Sequence, residues 1–179
     1  MNPALPLDVF IPDSEARQWA DGRLYVYGSL DVSGDSAYCS RDYRVFSSED
    51  LVHWTDHGVS FTTHESLDEP WGEATLYAPD CVRYRDEYRL FFCTSDNGEG
   101  VARSSDPAGP FGDPHPIVGA HADAIDPAAF IDDDGTPYLF WGQFNARGAR
   151  LRDDLTAIDP ETFNPSLVNE AEHGFHEGA

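Results

Sequence analysis

The chain has 179 residues, with 33 acidic side chains against 11 basic ones and a formal charge of −22. Every basic residue is an arginine, and such a surface repels nucleic acid phosphates and anionic membranes, which argues against both as partners. Hydrophobic residues at 40% and aromatics at 13% belong to a globular chain rather than a disordered one, and no apolar run approaches the ~20 residues of a membrane span.

Met1, Asn2, Pro3 and Leu5 show neither a basic start nor an apolar signal region. The expected localisation is therefore cytoplasmic, or secreted if an upstream segment precedes these residues. Cys39, Cys81 and Cys93 are odd in number, with no CxxC and no histidine at ligand spacing. They are expected to be reduced and buried, not paired or bound to zinc.

Strand signals dominate. Arg23-Leu24-Tyr25-Val26-Tyr27-Gly28-Ser29 is aromatic and β-branched and follows the turn Asp21-Gly22. Tyr43-Arg44-Val45-Phe46 predicts a further strand, followed by a tight corner and by Trp54 at an outer edge. Arg89-Leu90-Phe91-Phe92-Cys93-Thr94 follows a turn at 85–87, and residues 101–111 repeat the next strand and corner in shorter form. Pro137-Tyr138-Leu139-Phe140-Trp141-Gly142 follows Asp134-Gly135, and residues 149–155 repeat that strand and corner once more. No segment holds a helical period over ~11 residues; residues 47–50 and 152–156 are expected to form single helical turns. Asp132-Asp133-Asp134-Gly135 lacks the alternating ligands and distal glutamate of a calcium loop and predicts a hairpin turn.

These segments repeat. An acidic residue, a first strand, a tight turn and an aromatic second strand recur from Asp13, Asp80 and Asp126. Asp80 lies 67 residues after Asp13, Asp126 a further 46, and Glu177 a further 51. Repeats of about 40–50 residues built from short antiparallel strands predict propeller blades. The first strands of such blades line the central axis, so acids far apart in sequence meet at one end of it.

Ile11-Pro12-Asp13, Tyr27-Gly28-Ser29, Ser48-Glu49-Asp50-Leu51-Val52-His53-Trp54, Tyr77-Ala78-Pro79-Asp80, residues 125–132 and His176-Glu177-Gly178 stand in one order along the chain. In that order they resemble glycoside hydrolase family 43, five-bladed β-propeller enzymes acting on arabinose- and xylose-containing saccharides. The resemblance implies an all-β fold, with this chain covering about three blades and the start of a fourth. It implies a single catalytic domain over 1–179, truncated at its C-terminal side; the open edges of an incomplete propeller predict self-association and no measurable activity for these residues alone.

The resemblance also implies the chemistry: Asp13 as general base, Glu177 as general acid, and Asp126 as the carboxylate that tunes and orients the acid. Inverting hydrolysis needs a proton donor and a water-activating carboxylate on opposite sides of the sugar, ~6.5–9.5 Å apart. The family's first acid is usually followed by proline, where this chain has Ser14. Glu15, two residues on and able to share a strand face with Asp13, is a second candidate base.

Sugar sites add aromatic platforms and planar polar groups. Trp71 is the candidate platform, Gln143 and His176 are candidate hydroxyl ligands, and Asp80 is expected at the site rim in a structural or hydrogen-bonding role. His173 and His176 lack a third partner for a metal. No cofactor is required by this reading, and a structural calcium has no support in the sequence. The expected function is an α-L-arabinofuranosidase or β-xylosidase acting on an oligo- or polysaccharide. The alternatives are a non-catalytic carbohydrate-binding propeller or an inactive fragment.

Overall fold

The computed structural model describes residues 5–64, 71, 73–96, 98–120 and 124–178. Among them, twelve strands form three four-stranded antiparallel sheets, each laid down in chain order. The first holds β1 (Glu15–Gln18), β2 (Leu24–Ser29), β3 (Asp42–Ser48) and β4 (Trp54–Thr62). The second holds β5 (Asp80–Tyr84), β6 (Glu87–Cys93), β7 (Glu99–Ser104) and β8 (Gly112–Pro116). The third holds β9 (Ala128–Ile131), β10 (Pro137–Trp141), β11 (Asn145–Arg150) and β12 (Asn164–Asn169), followed by the single-turn helix α1 (Glu170–His173). No helix among the described residues is long and apolar enough to cross a membrane.

The sheets are blades. Their first strands, β1, β5 and β9, pack successively against one another, as strands around a common axis do. In every blade the pairing of the third strand with the fourth carries a register shift, and such bulges increase the local twist.

Two apolar layers glue the blades together. Between the first and second blades, Tyr25, Tyr27, Tyr43, Val45 and Phe61 meet Cys81, Leu90, Phe92, Ala102 and Phe111. Between the second and third, Val82, Tyr84, Phe91 and Val101 meet Ala129, Leu139, Trp141 and Ala149. Alternate residues of β6 thus serve opposite layers: Leu90 and Phe92 face one neighbour, Phe91 the other, and all three are fully buried. Close packing of this layer depends on Gly100, where an added Cβ would lie 2.2 Å from the Phe92 ring.

The strand registers correct the repeat expected from the sequence. Glu15 pairs with Tyr27, Asp80 with Phe91 and Ala128 with Phe140. These three residues each open the first strand of their blade, so Asp80 is the counterpart of Glu15 and Ala128. The counterpart of Asp13 and Asp126, two positions earlier, is Ala78. The two expected helical turns are side-chain-held corners instead. Ser48 Oγ accepts from the Leu51 amide at 2.8 Å and Asp50 Oδ1 from those of Val52 and His53; Asp154 Oδ1 accepts from Thr156. Short polar side chains that capture nearby amides compete with helix formation. Leu51 and Leu155 take positive φ at the equivalent place in both corners. The turn expected at 132–135 is present, with the Gly135 amide donating to Asp132 O at 2.8 Å. Beyond β12 the described residues form α1 and a loop, without a further strand.

Asp80 ties the blades at the axis. It is 2% exposed. Its Oδ1 accepts from Arg17 Nε at 3.2 Å and Nη2 at 2.8 Å and from the Cys81 amide at 2.6 Å, and its Oδ2 from the Ala129 amide at 2.7 Å. One carboxylate therefore joins β1, β5 and β9. Asp80→Ala leaves the half-buried Arg17 without its deepest partner and the Ala129 amide without an acceptor. Stranding a buried pair in this way costs about 3–5 kcal/mol. The expected outcome is an unfolding free energy, measured by urea titration, lowered by that amount for Asp80→Ala, against a smaller loss for Asp80→Asn, which keeps one acceptor oxygen.

Candidate active site

The loops that enter the first strands of the first and third blades end on acids held in unusual backbone geometry. Asp13 has φ 49° and Asp126 φ 55°. Aspartate tolerates this left-handed region better than most residues, but it remains strained, and such strain gathers at functional sites. Asp126 also precedes Pro127, a setting that ordinarily favours extended backbone. Ser29 Oγ donates to Pro12 O at 3.1 Å and secures the Asp13 loop to β2. The Asp126 amide donates to Cys93 Sγ at 3.4 Å and secures its loop to the second blade.

Glu177 arrives from the far end of the chain. The Phe144 amide donates to His176 O at 2.6 Å, the Gly178 amide to Asp126 Oδ2 at 3.1 Å, and Gln143 Nε2 to Glu177 Oε2 at 2.7 Å. These bonds bring Glu177 beside Asp126.

Asp13, Asp126 and Glu177 line one cleft of about 1010 Å³ at the mouth of the axis, together with Glu15, Arg17, Asp31, Tyr38, Cys39, Tyr77, Gln143 and His176. Burial raises the Asp126 pKa to about 6, helped by the negative charges of Glu177 and Asp13 and opposed by the Gly178 amide. Both neighbours are thus close enough to act on it. The Cys39 thiol, also at positive φ, is pushed up by burial and by the surrounding charges of Asp31, Asp13 and Asp126, so it stays a thiol. Burial likewise raises Glu15, against the pull of Arg17, whose Nε lies 3.1 Å from Glu15 Oε1.

Of the residues singled out from the sequence, Asp13, Asp126, Glu177, Gln143, His176 and Asp80 all border this cleft. Asp80 lies at its floor with both oxygens engaged by protein donors, which makes it a structural group rather than a sugar ligand. Trp71 is the exception. It is 3% exposed and stands edge-on to Phe92 at 5.2 Å in the layer between the first two blades. Gly98 leaves the space for its indole: an added Cβ would sit 3.0 Å from Trp71 Nε1. It cannot serve as a stacking platform from there. Two tyrosines border the cleft instead, the half-buried Tyr77 and Tyr38, the more open of the two at 82% exposure. Its sequence signal was an aromatic within the polar stretch 33–38, with no strand around it to bury the ring. Arg17 was also missed, because its alternation on β1 reads as an ordinary exposed charge. His176 Nδ1 is paired with Glu170 Oε1 at 2.8 Å, which raises the imidazole above its ordinary value. No cluster of three metal-ligating side chains occurs among the described residues.

Blades around an axis, with carboxylates gathered where the first strands open, define a β-propeller with an acidic axial cleft. The chain belongs to glycosyl hydrolases family 43, whose family model matches residues 2–178. It builds three blades of that family's five-bladed propeller. It is 37% identical over 150 residues to xylosidase/arabinosidase 43A of Humicola insolens, covering 75% of this chain and 44% of that protein. It is 32% identical over 151 residues to the arabinoxylan arabinofuranohydrolase of Bacillus subtilis, covering 68% and 29% respectively. The crystal structure of the GH43_1 enzyme from Xanthomonas citri complexed with xylose superposes with a TM-score of 0.80 at 25% identity, over 98% of this chain and 63% of that one. The chain thus spans less than half the length of these curated relatives.

The raised pKa of Asp126 has a thermodynamic consequence. A carboxyl near 6 in the folded state, against about 3.9 unfolded, favours folding while protonated, and that contribution fades as pH rises through 6. Two units correspond to at most about 3 kcal/mol, which solvent screening at a partly exposed group reduces to about 1 kcal/mol. Asp126→Asn is therefore expected to be more stable than the parent chain by about 1 kcal/mol at pH 7–8. The difference should close below about pH 4, checked by urea unfolding across that pH range.

Proposed function

We propose that this chain carries the catalytic acids of an inverting glycoside hydrolase acting on arabinose- or xylose-containing saccharides, and that residues 1–179 belong to one catalytic domain. The observation that carries the reading is the meeting of Asp13, Asp126 and Glu177 on one cleft, from the start of the first blade, the start of the third and the segment after α1. Each is recruited from a loop that the fold clamps by named hydrogen bonds.

In this reading Asp13 takes a proton from a water, and that water's oxygen bonds to the anomeric carbon from the face opposite the leaving group. The glycosidic bond breaks, and Glu177 gives its proton to the departing oxygen. Asp126 holds the Gly178 amide, and through it the loop bearing Glu177, while placing a carboxylate charge beside the donor. Glu15 is the weaker base candidate, since Arg17 already pairs with it. Tyr38 takes the stacking role expected of Trp71, and His176 presents its remaining ring nitrogen to sugar hydroxyls. Relatives named as xylosidase/arabinosidase and neighbours complexed with xylose or xylotriose support a pentose-containing substrate.

The test, made on this chain completed to a five-bladed propeller and taken below as the parent chain, is hydrolysis of aryl and alkyl α-L-arabinofuranosides and β-xylosides, with the anomeric product followed by proton NMR. Inversion is expected. Glu177→Gln should slow alkyl leaving groups by about 10²–10⁴-fold and 4-nitrophenyl far less, because an activated leaving group needs no proton. Asp13→Asn should slow both alike. Retention of configuration, or saccharide binding without turnover in the parent chain, would contradict the proposal.

A further inference from the structure

The turn that follows β10 touches both acid-bearing loops at once. Gly142 takes φ 118°, and an added Cβ would lie 2.4 Å from Asn145 O, so only glycine fits there. Its amide donates to Ile125 O at 2.9 Å, immediately before Asp126. Phe144 donates its amide to His176 O at 2.6 Å and accepts from the Glu170 amide at 2.9 Å, on either side of the segment that leads to Glu177. Phe144 itself sits at φ 62°, a costly conformation for a bulky residue. Between these two anchored residues, the half-buried Gln143 side chain spans to Glu177 Oε2 at 2.7 Å.

Glu177 is exposed on a loop, and this is the one side-chain hydrogen bond recorded for it among the described residues. A glutamate so placed otherwise samples several rotamers, and an acid that must protonate one oxygen works only in the rotamer that points there. The bond also distinguishes the two carboxyl oxygens. An amide N–H is best accepted by the carbonyl oxygen of a carboxylic acid, not by its hydroxyl oxygen. With Oε2 occupied by Gln143, the proton of the acid form resides on Oε1.

We propose that Gln143 is a positioning residue for proton donation: it holds the Glu177 rotamer and directs the transferable proton to Oε1, rather than binding a sugar hydroxyl. This rests on Glu177 being the general acid. Gln143 touches neither substrate nor the reacting bond; it acts through Glu177, and the strained turn at 142–144 fixes its reach to both loops.

The test compares Gln143→Leu, close in volume and without a donor, with the parent chain. In kinetics, kcat on alkyl glycosides is expected to fall about tenfold, while kcat on 4-nitrophenyl glycosides falls by less than about threefold and KM changes by less than about twofold. A hydroxyl ligand would instead raise KM and slow both substrate classes equally, and that result overturns the proposal. An arm independent of turnover uses NMR relaxation of the Glu177 side chain, assigned with Glu177→Gln. The Glu177 side chain is expected to be ordered in the parent chain and mobile on the ps–ns scale in Gln143→Leu, at an unchanged melting temperature. Equal order in both chains overturns the proposal, whatever the activity. Absence of a leaving-group split in Glu177→Gln itself would remove the general-acid reading, while the relaxation arm still decides whether Gln143 orders Glu177.

Discussion

The arrangement of the blades depends on one buried carboxylate. Sheets meeting around an axis bring their first strands together where there is little room. Asp80 occupies that place with four N–H donors drawn from all three blades. A charge in such a position is costly unless every lone pair is met; here two donors come from Cys81 and Ala129, which belong to the apolar layers, and two from Arg17 on β1, which is held by its pairing with β2. The same group sets the mouth of the cleft. Arg17 leads from it to Glu15, and the Ala129 amide leads through Pro127 to Asp126. The two cleft walls are thereby referenced to one pair of oxygen atoms.

The interior strands were legible in the sequence because of how they are buried. β6 and β10 are central in their sheets, and β6 is covered on both faces, so they run as continuous aromatic and aliphatic segments. The outer strands were not legible. β8 contains Pro114 and Pro116 and is mostly exposed, which suggests a loop. It is a strand because it pairs on one side only, where proline costs no ladder bond. β12 is similarly polar and exposed and is defined by its partner β11, not by its own residues. The first strands β1 and β9 are four residues long, too short for any periodicity to stand out.

The site was legible in part, and unevenly. Asp13, Asp126 and Glu177 emerged from a family pattern; spacing alone would have included Asp80 and given it the same rank. Strand register separates them, and register is a property of pairing that no single segment carries. Trp71 was misjudged because an indole next to an acidic stretch resembles a sugar platform until the facing residue is known. That residue is Phe92, with Gly98 beside it. Tyr38 and Arg17 were overlooked for the opposite reason: nothing near them in sequence reveals that the chain folds the cleft against them.

The two-residue offset between Asp80 and its sister acids has a geometric meaning. A strand rises about 3.3 Å per residue and repeats its face every second residue. Sliding an aspartate by two positions therefore keeps it on the axial face while lowering it about 6–7 Å along the axis. At the upper level an acid meets solvent and other acids, as Asp126 does; at the lower level Asp80, flanked by a first strand on either side, meets N–H donors, while Glu15 on the outermost first strand still borders the cleft. Depth along the axis, together with a first strand on either side, thus converts one side-chain chemistry into two roles, reactive near the opening and cohesive beneath it.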